Sequence, residues 1–254
     1  MGLMRKLAAI FCVTTLLAGC GDEGEELSEE DKELNATCAQ AEELAADGLH
    51  GKAVALLRQA YREMNENSLI EIRRNVLFGL VAGLDQITNG DEAMQYAREL
   101  LALVDDEESR ARAMRSMGLA HDAQGNREEA ISAYAAAIKI YLKVKDQEGL
   151  AACYNRLGLI YRLQNDDEKA IWYFEQSLDI NLKRLGPEHL LVGATYFDIG
   201  VIHRNKDLGK GNLEAAKFFE KALAIYSKAL GPEHPDTKNT ERMLVLAKRG
   251  LILP

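Results

Sequence analysis

Leu185-Gly186-Pro187-Glu188-His189 recurs residue for residue as Leu230-Gly231-Pro232-Glu233-His234, 45 positions later. Each copy closes an apolar stretch of helical type. The first is Ala170-Ile171-Trp172-Tyr173-Phe174 through Leu178-Asp179-Ile180, the second Ala215-Ala216-Lys217-Phe218-Phe219 through Leu223-Ala224-Ile225. Glycine after a helical run is a stop signal and proline behind it a restart. An exact recurrence at this spacing predicts a chain built from copies of one helical unit.

Working outward, each of these helices is preceded by another that carries a glycine in its middle. These are Leu157-Gly158-Leu159-Ile160-Tyr161 and Ile199-Gly200-Val201-Ile202-His203. Met117-Gly118-Leu119-Ala120-His121 opens a third unit, followed by Gly125-Asn126 and a helix with Ala130, Tyr134 and Ala137. The reason is steric: Gly118, Gly158 and Gly200 allow two helices to approach closely. Ala130, Ala170 and Ala215 face them, and Tyr134, Phe174 and Phe219 fill the wedge between hairpins.

The pattern Leu-Gly-x-x-Tyr, then Gly-Asn or Asn-Asp, then Ala, an aromatic and a small residue, resembles tetratricopeptide repeats. With their Leu-Gly-Pro-Glu-His ends the last two units resemble the repeats of kinesin light chains, although the insertion Lys206 to Asn212 departs from that pattern. The resemblance implies an all-α fold, a right-handed α-solenoid of about five helical hairpins. Asn35 to Glu63, with Gly51, Ala53, Leu57 and Ala60, reads as the first hairpin. Leu69 to Val104, with Gly79, Gly90-Asp91 and Ala93, reads as the second, its turn spacing off by about two residues. A polar helix from about Asp236 to Lys248 suits a cap, because a terminal hairpin cannot bury its own outer face. The array is thus expected over 34–235, with the capping helix and tail at 236–254.

Composition agrees. Hydrophobic residues make up 47% of the chain, too many for a disordered protein, and only four prolines interrupt it. The net charge of −9 is concentrated in Asp22 to Glu33, which holds eight acids and one base. With no clustered Lys and Arg to neutralise phosphates, nucleic acid is not an expected partner.

The N-terminus reads as an address. Met1 to Lys6 is short and basic, and Leu7 to Leu17 is an apolar or small run of signal-peptide length, shorter than a bilayer span. Leu17-Ala18-Gly19-Cys20 resembles the lipobox of bacterial lipoproteins. That resemblance implies a signal peptide over 1–19, cleavage before Cys20 and lipid on its thiol. Residues 20–33 follow as lipidated cysteine and acidic tether; a solvated spacer and an acidic docking tail are both open readings. By the same resemblance, Gly21 after the cysteine favours the periplasmic face of the outer membrane. Cys38 and Cys153 read as buried thiols or a disulfide, with no second ligand at metal spacing.

No catalytic set is legible, so the chain is not expected to be an enzyme. Of the five histidines, His121 and His203 fall at the position of Tyr161, which is a packing role. His189 and His234 belong to the repeated turn, and His50 has no histidine at i+4. No cofactor or metal is implied. The tetratricopeptide resemblance instead implies a concave side lined by first helices, which hold a partner's extended peptide or helix. The corresponding positions here are Arg112, Arg115 and Leu119, then Asn155, Leu159 and Arg162, then Phe197, Val201 and Arg204, with Arg73 from an earlier unit. Two readings of the arginines stand: forks for an acidic or C-terminal peptide, or solvated residues paired with nearby acids. The function expected is a lipid-anchored periplasmic scaffold or adaptor for an envelope protein, in assembly or secretion. A pilotin-like factor for a type IV pilus or secretin, a self-assembling lipoprotein and, least, a periplasmic hydrolase or enzyme subunit are the alternatives.

Overall fold

A computed structural model describes residues 27–65, 68–86, 89–104, 106–206 and 212–249. Among the described residues the chain forms eleven α-helices and no strand. They are α1 (Glu29–Ala46), α2 (His50–Glu63), α3 (Ile70–Gln86), α4 (Gly90–Ala102), α5 (Glu107–Ala123) and α6 (Arg127–Val144). Then follow α7 (Gln147–Leu163), α8 (Asp167–Leu185), α9 (Leu190–Lys206), α10 (Leu213–Ala229) and α11 (Pro235–Arg249). The fold is all-α: five consecutive helix pairs and one terminal helix.

The helix starts are written in the sequence. Asn89, Asp106, Asp146, Asp166 and Asn212 each accept a hydrogen bond from the backbone N–H three residues on, satisfying a donor that the first turn leaves open. Between the paired helices, Gly125 at φ 79° and Asn165 at φ 59° occupy the same place in successive turns. Left-handed backbone favours those two residue types, which explains the Gly-Asn and Asn-Asp signatures.

The first hairpin begins earlier than its sequence suggests. The expected tether runs to residue 33, yet α1 starts at Glu29, so residues 29–33 are helical. Ser28 caps the helix by accepting from the Asp31 N–H at 3.1 Å, and its hydroxyl donates to the Asp31 carboxylate at 2.8 Å. Glu29, Glu30 and Asp31 stand at the positive end of the helix dipole, where acids are stabilising. The charge run that argues for a tether is also a helix N-terminus, and Leu34 behind it is buried.

The contacts divide the chain into two compact units, 1–133 and 134–254, with the boundary inside α6. In the first, the glycines of α3 face the preceding hairpin. A Cβ on Gly79 would lie 2.8 Å from Leu57, and one on Gly83 2.6 Å from Val54. Gly79 therefore serves contact between hairpins, which accounts for the offset spacing of this unit. Leu77, Leu100, Val104 and Ala113 form the core beside it, with Tyr61 and Tyr96 edge to face at 5.0 Å.

In the second unit the glycines of α7 and α9 do what the sequence indicates. A Cβ on Gly158 would meet the Phe174 ring at 2.8 Å, and one on Gly200 the Phe219 ring at 2.9 Å. Both rings are fully buried, as are Ala170 and Ala215. Tyr161 stacks on Tyr173 at 5.3 Å, and His203 stacks on Phe218 at 5.4 Å in the matching place. The histidine is thus a packing residue.

The repeated pentapeptide is a complete helix-to-helix turn. Gly186 and Gly231 take φ of 82° and 89°, and the histidine N–H donates back to the glycine carbonyl. Nδ1 of His189 accepts from the Leu191 N–H and Nδ1 of His234 from the Asp236 N–H, each at 3.2 Å. The two histidines therefore start α9 and α11. Behind the insertion, Asn212 ties three helices together. Its N–H donates to Ala247 in α11, its amide donates to His203 in α9, and its carbonyl oxygen caps α10. Met243 and Leu244 of α11 pack on Ala215, Ala216 and Phe219, closing the hairpin.

Gly158→Ala should lower the thermal unfolding midpoint through overpacking against Phe174, a loss of about 1–3 kcal/mol. Gly51→Ala should raise it slightly, by about 0.5 kcal/mol, because nothing stands within 4 Å of that position. Equal effects at the two sites would contradict the crossing-point account. Asn212→Ala should cost about 1–3 kcal/mol and increase proteolysis at α11.

Candidate functional site

The spacing of residues 112, 115 and 119, of 155, 159 and 162, and of 197, 201 and 204 puts each trio on one face of a helix. Within each unit the structure brings these faces of successive first helices into contact. In the first unit the Arg112 guanidinium lies 4.2 Å from the centroid of Phe78 in α3. Glu42 of α1 shares this face: burial raises its pKa, and the Arg112 charge opposes the rise. Arg115 is half-buried, with Nε enclosed and engaged in no hydrogen bond. Leu119 is 8% exposed, so it forms floor and presents little surface of its own. Arg73 points elsewhere, donating to the Asn65 carbonyl at 2.7 Å.

In the second unit Leu159 packs on Phe174, Ile199 and Ile202. Phe197 and Val201 pack on Ala215, Ala216 and Phe219, with the Phe197 and Phe219 rings 5.6 Å apart. All three remain half-exposed and make an apolar floor, beside half-buried Asn155. Two arginines edge it. Arg204 reaches the Met243 sulfur of α11 at 3.4 Å and the Asn205 side chain at 3.3 Å. Arg162 of α7 approaches Asp198 of α9, Nη2 to Oδ1, at 3.7 Å. The Nε atoms of Arg162 and Arg204 are buried and make no hydrogen bond.

Asp198 is the residue that sequence reasoning passes over. It stands two places before Gly200, where the other units have Ser116 and Arg156, so no repeat regularity marks it. Burial pushes its carboxyl up to about 6, and Arg162 offsets only part of that rise. At 3.7 Å the pair is too long for a direct hydrogen bond, and desolvation outweighs attraction.

Other features fall outside this face. Trp172 is half-exposed on α8, edge-on to Tyr173 at 4.8 Å and to Tyr154 at 6.2 Å. Cys38 and Cys153 are both thiols; burial, with Glu42 adding to it, pushes Cys38 up to about 11, which keeps it protonated and unreactive. Among the described residues no three His, Cys, Asp or Glu side chains cluster as a metal site, and no helix is long and apolar enough to cross a membrane. The lipidation residue Cys20 lies outside the described residues.

Consecutive helix pairs that cross at a glycine are the architecture of a helical-repeat protein. Tetratricopeptide-repeat family models match residues 109–183, 149–210 and 213–236. The chain carries tetratricopeptide repeats. Among solved structures it is similar to a putative kinesin light chain with TPR-like repeats from Podospora anserina, with TM-score 0.55 and 21% identity over 79% of this chain and 98% of that one. It is also similar to BtubC from P. vanneervenii, with TM-score 0.60 and 19% identity over 90% and 85%. A third is aspartyl phosphate phosphatase F from Bacillus subtilis, with TM-score 0.67 and 17% identity over 86% of this chain and 56% of that one. At these identities the likeness concerns the fold. No curated protein matches the chain.

Asp198 gives the stability a pH dependence of definite sign. Its carboxyl titrates near 3.8 when solvated and at about 6 in the fold, so the folded state favours the protonated form. Stability is therefore highest below the lower value and is lost as pH rises through the upper one, by about 3 kcal/mol at most. Asp198→Asn should flatten this part of the denaturant-midpoint profile between pH 4 and 7 and stabilise the protein at pH 7. A profile unchanged by the substitution would count against the burial of this carboxyl.

Proposed function

We propose that the protein is a lipid-anchored scaffold of the bacterial envelope whose first helices bind an acidic or C-terminal segment of a partner protein. The observation that carries this reading is the pairing of an apolar floor with arginines on the first-helix face of the second unit. Phe197, Val201 and Leu159 offer area. Arg162 and Arg204 edge this floor, and a guanidinium matches a carboxylate through a bidentate fork. Asn155 suits a peptide backbone. The tetratricopeptide repeats support a protein-binding role, since a repeat array presents extended surface and no enclosed cleft.

The anchoring half of the proposal rests on Met1 to Cys20. A basic start, an apolar run and Leu-Ala-Gly-Cys favour cleavage and acylation at Cys20, and two or more acyl chains hold a protein stably at a membrane. The periplasmic face of the outer membrane is the location that Gly21 favours. A second reading, self-assembly, is favoured by Val245 and Leu246, which are 47% and 40% exposed on the terminal helix.

Affinity capture from native membranes tests the scaffold. An Arg115→Glu, Arg162→Glu double variant should lose, by tenfold or more, the envelope protein that the wild-type chain recovers. Recovery of the same partner by both moves binding off the inner face, and recovery of nothing but further copies of the chain favours self-assembly. Cys20→Ser should shift the protein from membrane to soluble fractions; retention in the membrane argues against the lipid anchor.

A further inference from the structure

Resting on the reading of the inner face as a partner surface, we infer that Asp198 is an internal competitor that occupies Arg162 and regulates how tightly the second unit holds an anionic segment. One guanidinium stands between two carboxylates, its own chain's and the partner's. Arg162 and Asp198 come from α7 and α9, successive first helices, and meet on the face that also presents Asn155, Leu159, Phe197 and Val201. The contact at 3.7 Å is loose enough to exchange, and neither side chain is exposed beyond 30%, so a third charge entering there meets little solvent screening.

Among the described residues Asp198 makes no other ion pair. From α7 it faces Arg162. From α10 it faces Tyr226, whose phenol is pushed far up by burial and by the charges of Asp236 and Asp198, and which therefore stays neutral. Asp236 of α11 adds a second negative charge beyond Tyr226. Arg204, on the same helix, is turned to Met243 and Asn205. Protonating Asp198 therefore removes the carboxylate that, among the described residues, pairs with Arg162, and leaves its fork to a ligand. Its carboxyl, raised to about 6 by burial, makes that release occur in mildly acidic conditions while a solvated aspartate stays ionised.

The test uses the full chain and a tetramethylrhodamine-labelled hexa-aspartate peptide, with binding followed by fluorescence anisotropy at pH 7.5 and 5.5. The wild-type protein should bind about tenfold more tightly at pH 5.5, since binding weakens in proportion to the fraction with Arg162 engaged. Asp198→Asn should bind tightly at both values and lose the dependence. Arg162→Gln should bind weakly at both, while keeping the helical circular-dichroism spectrum of the wild type at the assay temperature. Equal affinities for wild type and Asp198→Asn at pH 7.5 overturn the competition but leave the inner face as a peptide surface. Absence of binding in Asp198→Asn at either pH overturns both.

Discussion

The structure depends on helices that touch where a side chain is missing. At Gly158 and Gly200 the first helix of a hairpin lies against a buried aromatic ring of the second, at distances that a Cβ would violate. The close approach buries Ala170 and Ala215 completely and locks the ring in place. Because packed interiors have little slack, this one contact sets how two helices cross. The crossing decides which residues of the first helix remain on its open side. In the second unit that open side carries Arg162 and Arg204, each four residues beyond the glycine of its helix.

Much of this is legible in the sequence, for a physical reason. A repeated contact needs a repeated residue, so Gly, Ala and aromatic positions recur at fixed spacing and mark the hairpins. The turn glycines and His189 and His234 are legible for the same reason, since each copy of the pentapeptide builds the same stop and cap. The terminal helix, expected over 236–248, runs from Pro235 to Arg249. Where a contact is not repeated, the sequence says less. Gly79 reads as a crossing within its hairpin but faces Leu57 of the preceding one. Composition alone gives no sign that Glu29, Glu30 and Asp31 serve as a helix start as well as an acidic run.

The inner face shows the same division. The positions of its residues follow from the repeat, and the structure brings Arg112 onto Phe78 and Arg162 to Asp198. The partners do not follow from the repeat. Asp198 has Ser116 and Arg156 as its counterparts, and Met243 belongs to the capping helix, which has no counterpart at all. A repeat fixes where side chains stand, while the charges that meet there are individual to each unit.

That individuality is what lets a generic scaffold become selective. An inner face of uniform residues would offer each ligand segment the same surface, unit after unit. Here the first unit sets Glu42 beside Arg112 over an aromatic ring, and the second sets Asp198 beside Arg162 next to an apolar floor. At Asp198 burial raises the carboxyl against the pull of Arg162, so that pair is not held by strong attraction. Opening a half-buried ion pair leaves a desolvated guanidinium behind it, which is costly unless another carboxylate takes the vacated place. Under the proposed function, selectivity on such a surface comes from which carboxylate satisfies that guanidinium best, the chain's own or the partner's.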